Sequence, residues 1–245
     1  MGKNYDGAIY DGRFQDYDAD LGFWREQAQR FGDPILELAF GTGRVGLALA
    51  REGYSIFGLE LRETMLKRAR KRVEEENLDI NLVQGDMRGF NLGKKFPLII
   101  LPFNSLAHLL SYEDLGKMLQ SVAAHLAPRG RFVFDYLNPS LKILSRDPED
   151  WYPSAEYTDD QGQKVVVKEK TCYDSASQIN RVTLHYSCDD GQEFEDDILM
   201  RMYYPQELKA LLDCSGWEIE DRLGDFSGSK FSSESPKQIV FCFPR

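Results

Sequence analysis

The segment Ile35-Leu36-Glu37-Leu38-Ala39-Phe40-Gly41-Thr42-Gly43-Arg44 narrows the folds open to this 245-residue chain more than any other. A short apolar run ends in a glycine turn and passes directly into a helical stretch, residues 45–51. Glycines at such a turn let the backbone approach a ligand closely, and the first turn of the helix leaves N–H groups aimed at it. The first half of the chain repeats the same alternation. Residues 54–59, 79–84, 98–103 and 131–137 read as strands, and 64–77 and 112–126 as helices, the latter stopped near Pro128 and Gly130. Strands alternating with helices of this length give an α/β fold, a doubly wound parallel sheet covered on both faces.

After about Asn138 the pattern changes. Residues 164–173, 179–188 and 193–202 read as three strands separated by turns, with no helix between them long enough for a crossover, so they pair antiparallel. A last helix, 205–214, carries Pro205 near its start and Gly216 past its end, and strands 217–223 and 238–243 follow. The division expected is an N-terminal arm and helix (1–33), a core (34–138 and 203–245) and an antiparallel insertion (139–202). In the arm Tyr5, Tyr10 and Tyr17 are interleaved with Asp6, Asp11, Asp16, Asp18 and Asp20, and a helix follows over 21–31.

Composition removes several function classes. Lys and Arg number 30 against 40 Asp and Glu, a net charge of −10, which disfavours a nucleic-acid binder needing a basic face. No apolar run reaches the length of about 18 residues of a membrane helix. The N-terminus is polar and acidic, unlike a secretory signal. Cys172, Cys188, Cys214 and Cys242 form no CxxC pair, so neither a disulfide framework nor a zinc site is expected, and a reducing cytoplasm is. No His/Asp cluster has metal spacing.

The glycine turn admits two sites. Gly41, Gly43 and Gly46 fit the G-x-G-x-x-G of a dinucleotide site, with Glu60 at the end of the next strand as the ribose acid. The same turn also serves the S-adenosylmethionine site of class I methyltransferases, and the chain resembles that superfamily over most of its length. Four segments carry the resemblance: LELAFGTGR (36–44), GLELRETML (58–66), QGDMRGF (84–90) and FPLIILPFNSLAHL (96–109). The strand pair 217–243 also resembles the family's end of sheet, in which the last strand runs antiparallel in an otherwise mostly parallel seven-stranded sheet.

The resemblance implies S-adenosyl-L-methionine as cofactor and assigns roles. Glu37 orders the glycine loop or meets the ligand's ammonium through water, and Ala39 stands where the family has its first glycine. Gly41 and Gly43 form the turn, flanked by Arg44. Glu60, followed by Leu61, takes the ribose hydroxyls. Asp86 meets the adenine amino group and Met87 offers its backbone N–H. Phe103, Asn104 and His108 border the methionine end or the acceptor. Tyr10 and Tyr17 resemble arm tyrosines that close over the sulfonium. His108, Tyr17 and Tyr136 are the candidate catalytic groups, with Asp135 and Asn138 nearby and Arg201 or Tyr203 as weaker acceptor contacts. Arg88 and Phe90 are candidates to stack near the adenine.

The insertion is expected to form a lid or a homodimer surface; with the motifs, it looks like that of sugar N,N-dimethyltransferases and glycine N-methyltransferase-like relatives. The implied activity is methyl transfer to an amine or hydroxyl of a small molecule, by a monomer or homodimer. A protein or RNA acceptor, a nicotinamide oxidoreductase and a non-catalytic cofactor-binding protein are the alternatives.

Overall fold

The computed structural model describes residues 6–14 and 17–245. Tyr5 and Asp16 of the N-terminal aromatic-acidic stretch lie outside the described residues. The chain forms two compact units. One comprises Asp18–Asn138 with Tyr204–Arg245, the other the stretch up to Tyr17 with Pro139–Tyr203.

The elements follow in chain order. Helix α1 (Gly7–Phe14) and α2 (Leu21–Phe31) precede strand β1 (Ile35–Leu38), α3 (Arg44–Ala50), β2 (Ile56–Glu60), α4 (Glu63–Glu76) and β3 (Ile80–Gln84). Strand β4 (Phe96–Leu101) leads through a single 3-10 turn, Ser105–His108, to α5 (Tyr112–His125) and β5 (Leu126–Leu137). After a short α6 (Leu141–Leu144) come β6 (Tyr152–Thr158), β7 (Lys164–Asp174), β8 (Ile179–Cys188) and β9 (Glu193–Arg201). Helix α7 (Pro205–Cys214), β10 (Trp217–Leu223) and β11 (Lys237–Pro244) close the chain.

The larger unit is built on a seven-stranded sheet in the order β10-β11-β5-β4-β1-β2-β3. Its five first-half strands are parallel, and β11 runs antiparallel to both β5 and β10. Both faces are covered, so the central strands are continuously apolar rather than alternating; every residue of β1 is buried, the acid Glu37 included. One face packs Phe23, Trp24 and Ala28 of α2 and Val45 and Leu49 of α3 onto Ile35, Ile56, Leu98, Ile100, Val133 and Phe241. The covering helices are amphipathic and carry their own stop signals. Ser111 caps α5 by accepting the Asp114 N–H at 3.1 Å, with Glu113 and Asp114 complementing the dipole of the first turn. α4 ends on Asn77 in the left-handed conformation (φ 50°).

Chain order along the sheet reverses between β1 and β4. In open α/β sheets such a switch point opens a crevice at the carboxyl ends of the strands, where ligands bind. The glycine turn after β1 and the loop after β4 flank this crevice.

The smaller unit is a four-stranded antiparallel sheet, β6-β7-β8-β9, with α1 and α6. It corrects two expectations. A fourth strand, β6, precedes the three read from the sequence; its Pro153 and the register shift beside it, between Pro153 and Ala155, interrupt the alternation by which strands are recognised, as befits an edge. No helix is read within the arm from sequence, yet residues 7–14 form one. Its start is capped by Asp6, whose Oδ1 accepts from the N–H groups of Ala8 (2.9 Å) and Ile9 (3.1 Å). Gly7 and Gly12 weaken its intrinsic signal, but Gly12 is what admits the ring of Tyr157, which would lie 2.3 Å from a Cβ there. The 1–33 segment is thus divided: α1 groups with the antiparallel sheet and α2 with the parallel one.

Candidate active site

Phe40 organises the glycine turn. Its ring fills a socket floored by three glycines: a Cβ would stand 2.8 Å from the ring at Gly43, 2.2 Å at Gly46 and 2.5 Å at Gly58. Two of the fingerprint glycines therefore serve packing of the turn on β2 and α3. Gly41 is different. It has φ 61°, and a Cβ there would meet nothing nearer than the Ala39 carbonyl oxygen at 3.9 Å, so the outer side of the turn is open. Ala39, at the position of the family's first glycine, adopts φ 52°, a conformation that costs a non-glycine residue about 1–2 kcal/mol.

Two acids sit beneath and beside this turn. Glu60, at the carboxyl end of β2, accepts the Gly41 N–H on Oε2 and the Arg62 N–H on Oε1, each at 2.9 Å. A carboxylate has about four acceptor positions, so lone pairs remain for two further donors. Glu37 is almost fully buried. Burial raises its carboxyl well above the ordinary 4.5; Arg44 opposes the rise, Asp20 adds to it, and the backbone hydrogen bond from Gly46 opposes it again. Its Oε2 has no hydrogen-bond partner among the described residues. Arg44 itself is held by the buried Asp20 through Nη1 (2.5 Å) and Nη2 (2.7 Å). Asp20 also accepts from the Trp24 indole at 3.1 Å, and the guanidinium lies 4.9 Å from the centre of the Phe103 ring. α2 and the glycine turn are thereby locked to the loop after β4.

That loop is unusual in its backbone. Phe103 (φ 60°) and Asn104 (φ 58°) are consecutive left-handed residues; asparagine tolerates this, whereas a bulky side chain seldom does. Such strain persists only where surroundings over-determine it, and it gathers at ligand sites. Here the Phe103 N–H donates to Asp135 Oδ1 at 2.5 Å. Lys237 Nζ donates to Asp135 Oδ2 at 2.8 Å and to Asn104 Oδ1 at 3.2 Å. Asp135, read from sequence as a neighbour of the acceptor, is completely buried and spends its oxygens on this loop. Lys237 carries no motif signal; only the pairing of β11 with β5 brings it here.

The remaining residues singled out from sequence are placed as follows. Leu61 is largely exposed. Asp86 and Met87 follow β3. Asp86 is gripped by Arg88 through Nη2 at 2.6 Å and Nε at 3.0 Å, which lowers its carboxyl below the usual range. Arg88 also reaches Asp114. Phe90 packs on the His125 ring, 4.4 Å between centres. His125 Nε2 accepts from the Leu92 N–H and its Nδ1 pairs with the Ser121 carbonyl, so that imidazole is structural. His108 ends the 3-10 turn, half-buried. Tyr136 is fully buried within β5, and Asn138 Nδ2 donates to the Ser235 carbonyl. Tyr10 and Tyr17 belong to the smaller unit, where Tyr10 packs on Phe14 with ring centres 5.2 Å apart and Tyr17 donates its N–H to the Phe14 carbonyl. Arg201 there closes the end of its sheet, bonding the Ser177 carbonyl and Gln178 Oε1, and Tyr203 is buried. Among the described residues no group of three or more His, Cys, Asp or Glu is arranged to hold a metal ion, and no helix is long and apolar enough to cross a membrane.

The open edge of the glycine turn, the twin acceptor positions left on Glu60 and the unpartnered Glu37 oxygen form a donor and acceptor set that fits an adenosyl amino acid: a vicinal diol at one end, a cationic amine at the other. Comparison with known proteins agrees. The family described as "Methyltransferase domain" matches residues 35–130. A dTDP-3-amino-3,4,6-trideoxy-α-D-glucopyranose N,N-dimethyltransferase of Streptomyces venezuelae is 30% identical over 90% of this chain and 91% of its own. Among solved structures, the CcbJ methyltransferase of Streptomyces caelestis shares the fold, with TM-score 0.83 at 22% identity over 98% of this chain and 99% of that one. Streptomyces venezuelae DesVI superposes with TM-score 0.75 at 27% identity, over 97% and 95% of the two chains. The chain belongs to the class I S-adenosylmethionine-dependent methyltransferases. It is an enzyme that takes its methyl group from S-adenosyl-L-methionine, so the Gly41-Gly43-Gly46 spacing is not here the mark of a dinucleotide enzyme.

Proposed function

We propose that the protein methylates the amine of a hydroxylated small molecule of the amino-sugar type, in one or two rounds. The observation that supports this best is the extent of the likeness to the Streptomyces venezuelae sugar N,N-dimethyltransferase, which spans nine-tenths of both chains and so includes the antiparallel unit as well as the parallel sheet.

S-adenosylmethionine supplies a methyl group on a sulfonium, already a good leaving group. The chain's task is alignment of a nucleophile with that carbon, and positioning of this kind can supply about 7–11 kcal/mol of a barrier. In this reading Glu60 holds the ribose hydroxyls, the outer edge of the Gly41 turn admits the amino-acid end, and Glu37 offers its unpartnered oxygen toward the ammonium. Leu61, Asp86 and Met87 border the adenine, while Phe103, Asn104, Arg44 and Ala39 complete the methionine end. An amine nucleophile must present a lone pair, so one proton has to leave before transfer. His108, half-buried at the end of the 3-10 turn, is the proposed acceptor of that proton; Tyr10, Tyr17 and Tyr136 are the further candidates for contact with cofactor or acceptor. A cytoplasmic location fits four cysteines that are all unpaired.

The test is a panel of amino sugars, free and nucleotide-linked, each beside its hydroxyl counterpart, incubated with S-adenosylmethionine and followed by mass spectrometry. Mass gains of one or two methyl groups on amines alone are expected. Methylation confined to hydroxyls, or to added protein or RNA, would overturn the reading.

A further inference from the structure

We infer that Lys237 and Asp135 are a positioning pair that sets Asn104 with its amide N–H₂ as the end free to meet a ligand. This rests on the methyl-transfer reading above. Asn104 has one acceptor oxygen and one donor nitrogen. The oxygen is committed, at 3.2 Å, to the Lys237 ammonium, which can only donate. The remaining end of that amide is therefore a donor, suited to a carboxylate or hydroxyl oxygen and not to an ammonium.

The pair also fixes the backbone beneath this side chain. Asp135 takes the Phe103 N–H on one oxygen and Lys237 on the other, and Arg44 lies over the Phe103 ring. The contacts run across three adjacent strands, from β11 through β5 to the loop after β4. Asp135 is wholly buried and the Lys237 side chain 18% exposed. Without the ammonium the buried carboxylate has no counter-charge within this set, and the two left-handed residues lose the tie on Asn104. Lys237 thus acts through Asn104 and Phe103 rather than on the reacting atoms.

The experiment compares Lys237→Met, Lys237→Arg, Asn104→Asp and the double variant Asp135→Asn/Lys237→Met. Each is checked for folding by thermal melting, for S-adenosylhomocysteine affinity by calorimetry, and for kcat and KM at saturating cofactor. Lys237→Met is expected to lower kcat at least tenfold and to weaken S-adenosylhomocysteine at least fivefold. Lys237→Arg should recover most of both. Asn104→Asp keeps an oxygen for Lys237 but has no donor, so it should fold normally yet lose activity at least tenfold. The double variant, which removes the stranded charge, should melt higher than Lys237→Met while staying slow, a separation that a merely structural role would not give. Kinetic constants and affinity of folded Lys237→Met within twofold of the parent would overturn the inference, as would Asn104→Asp with full activity. If the parent methylates no amine in the panel, the acceptor reading fails by itself. The calorimetric arm still decides the clamp, since fivefold weaker binding supports it and unchanged binding overturns it.

Discussion

Gly41 donates its backbone N–H to Oε2 of Glu60 at 2.9 Å, so the glycine turn and the acid at the end of β2 are one hydrogen-bonded piece. Substituting the acid therefore loosens the turn as well as removing the contact proposed for the ribose hydroxyls. Glu60→Ala leaves the Gly41 and Arg62 amides without their acceptor, each an effect of about 1–3 kcal/mol if water cannot replace it. Calorimetry with S-adenosylmethionine should show binding abolished, with melting several degrees lower. Glu60→Gln keeps one acceptor oxygen and should fall between. Full affinity in Glu60→Ala would remove this residue from the site.

The second prediction concerns Phe40 and Gly46. A methyl group at Gly46 would stand 2.2 Å from the Phe40 ring and 2.7 Å from Glu37 Oε2, and overpacking of this kind costs about 1–3 kcal/mol. Gly46→Ala should lower the melting temperature, whereas Gly46→Ala combined with Phe40→Leu should lose less than the two single changes added together. Additive losses in a double-mutant cycle would show that the ring and the glycine are not in the contact described.

A third test uses pH. Burial holds the Glu37 carboxyl well above 4.5, so the folded chain retains a proton that the unfolded chain has released. The stability this contributes is complete below the unfolded value and is lost as pH rises through the raised folded value. Glu37→Gln has no proton to lose. Its melting temperature should gain on the parent's as pH rises above the ordinary carboxylate range, and the gain should level off once the raised carboxyl has ionised. Parallel profiles for the two proteins would contradict a raised carboxyl.

Asp86 and Arg88 provide a fourth. Arg88 is 43% exposed in this pair, and exposed ion pairs contribute about 0–1 kcal/mol, so Arg88→Ala should hardly change stability. Asp86→Asn should weaken S-adenosylmethionine less than Glu60→Ala does, by about tenfold or under, since it removes charge but keeps an acceptor. A loss as large as that of Glu60→Ala would make Asp86 the principal anchor.

A fifth concerns Ala39. Its φ of 52° favours glycine, so Ala39→Gly should be neutral or stabilising by up to about 1 kcal/mol, the relief of strain being offset by a more flexible unfolded chain. A clear loss of melting temperature would mean that the methyl group makes packing contacts worth more than the strain it imposes.

Local signals in the sequence were enough for the parallel sheet, its covering helices and the acids at the strand ends. Periodicity, caps and glycine turns act over a few residues, and Ile35–Leu38, Leu21–Phe31 and Pro205–Cys214 lie where those signals put them. Elements with weak local signals were misread. β6 hides behind Pro153, and α1, with its two glycines, draws support from Asp6 and from Tyr157, about 145 residues further on.

The site divides in the same way. Glu37, Glu60, Gly41 and Asp86 could be singled out from sequence because each stands at a fixed position relative to a strand end, on which the cofactor contacts proposed for them depend. That Gly43, Gly46 and Gly58 together enclose one phenylalanine, that Asp135 is buried rather than facing an acceptor, and that Lys237 reaches Asn104 are decided only by which strands lie side by side. The kind of enzyme was legible from sequence through the resemblance of four ordered motifs to class I methyltransferases, while local turn and strand chemistry alone left a dinucleotide site open as well. Tertiary structure decided which polar groups are spent on one another and which are left for a ligand, because burial and pairing between β4, β5 and β11 are properties of the assembled sheet, not of any segment of it.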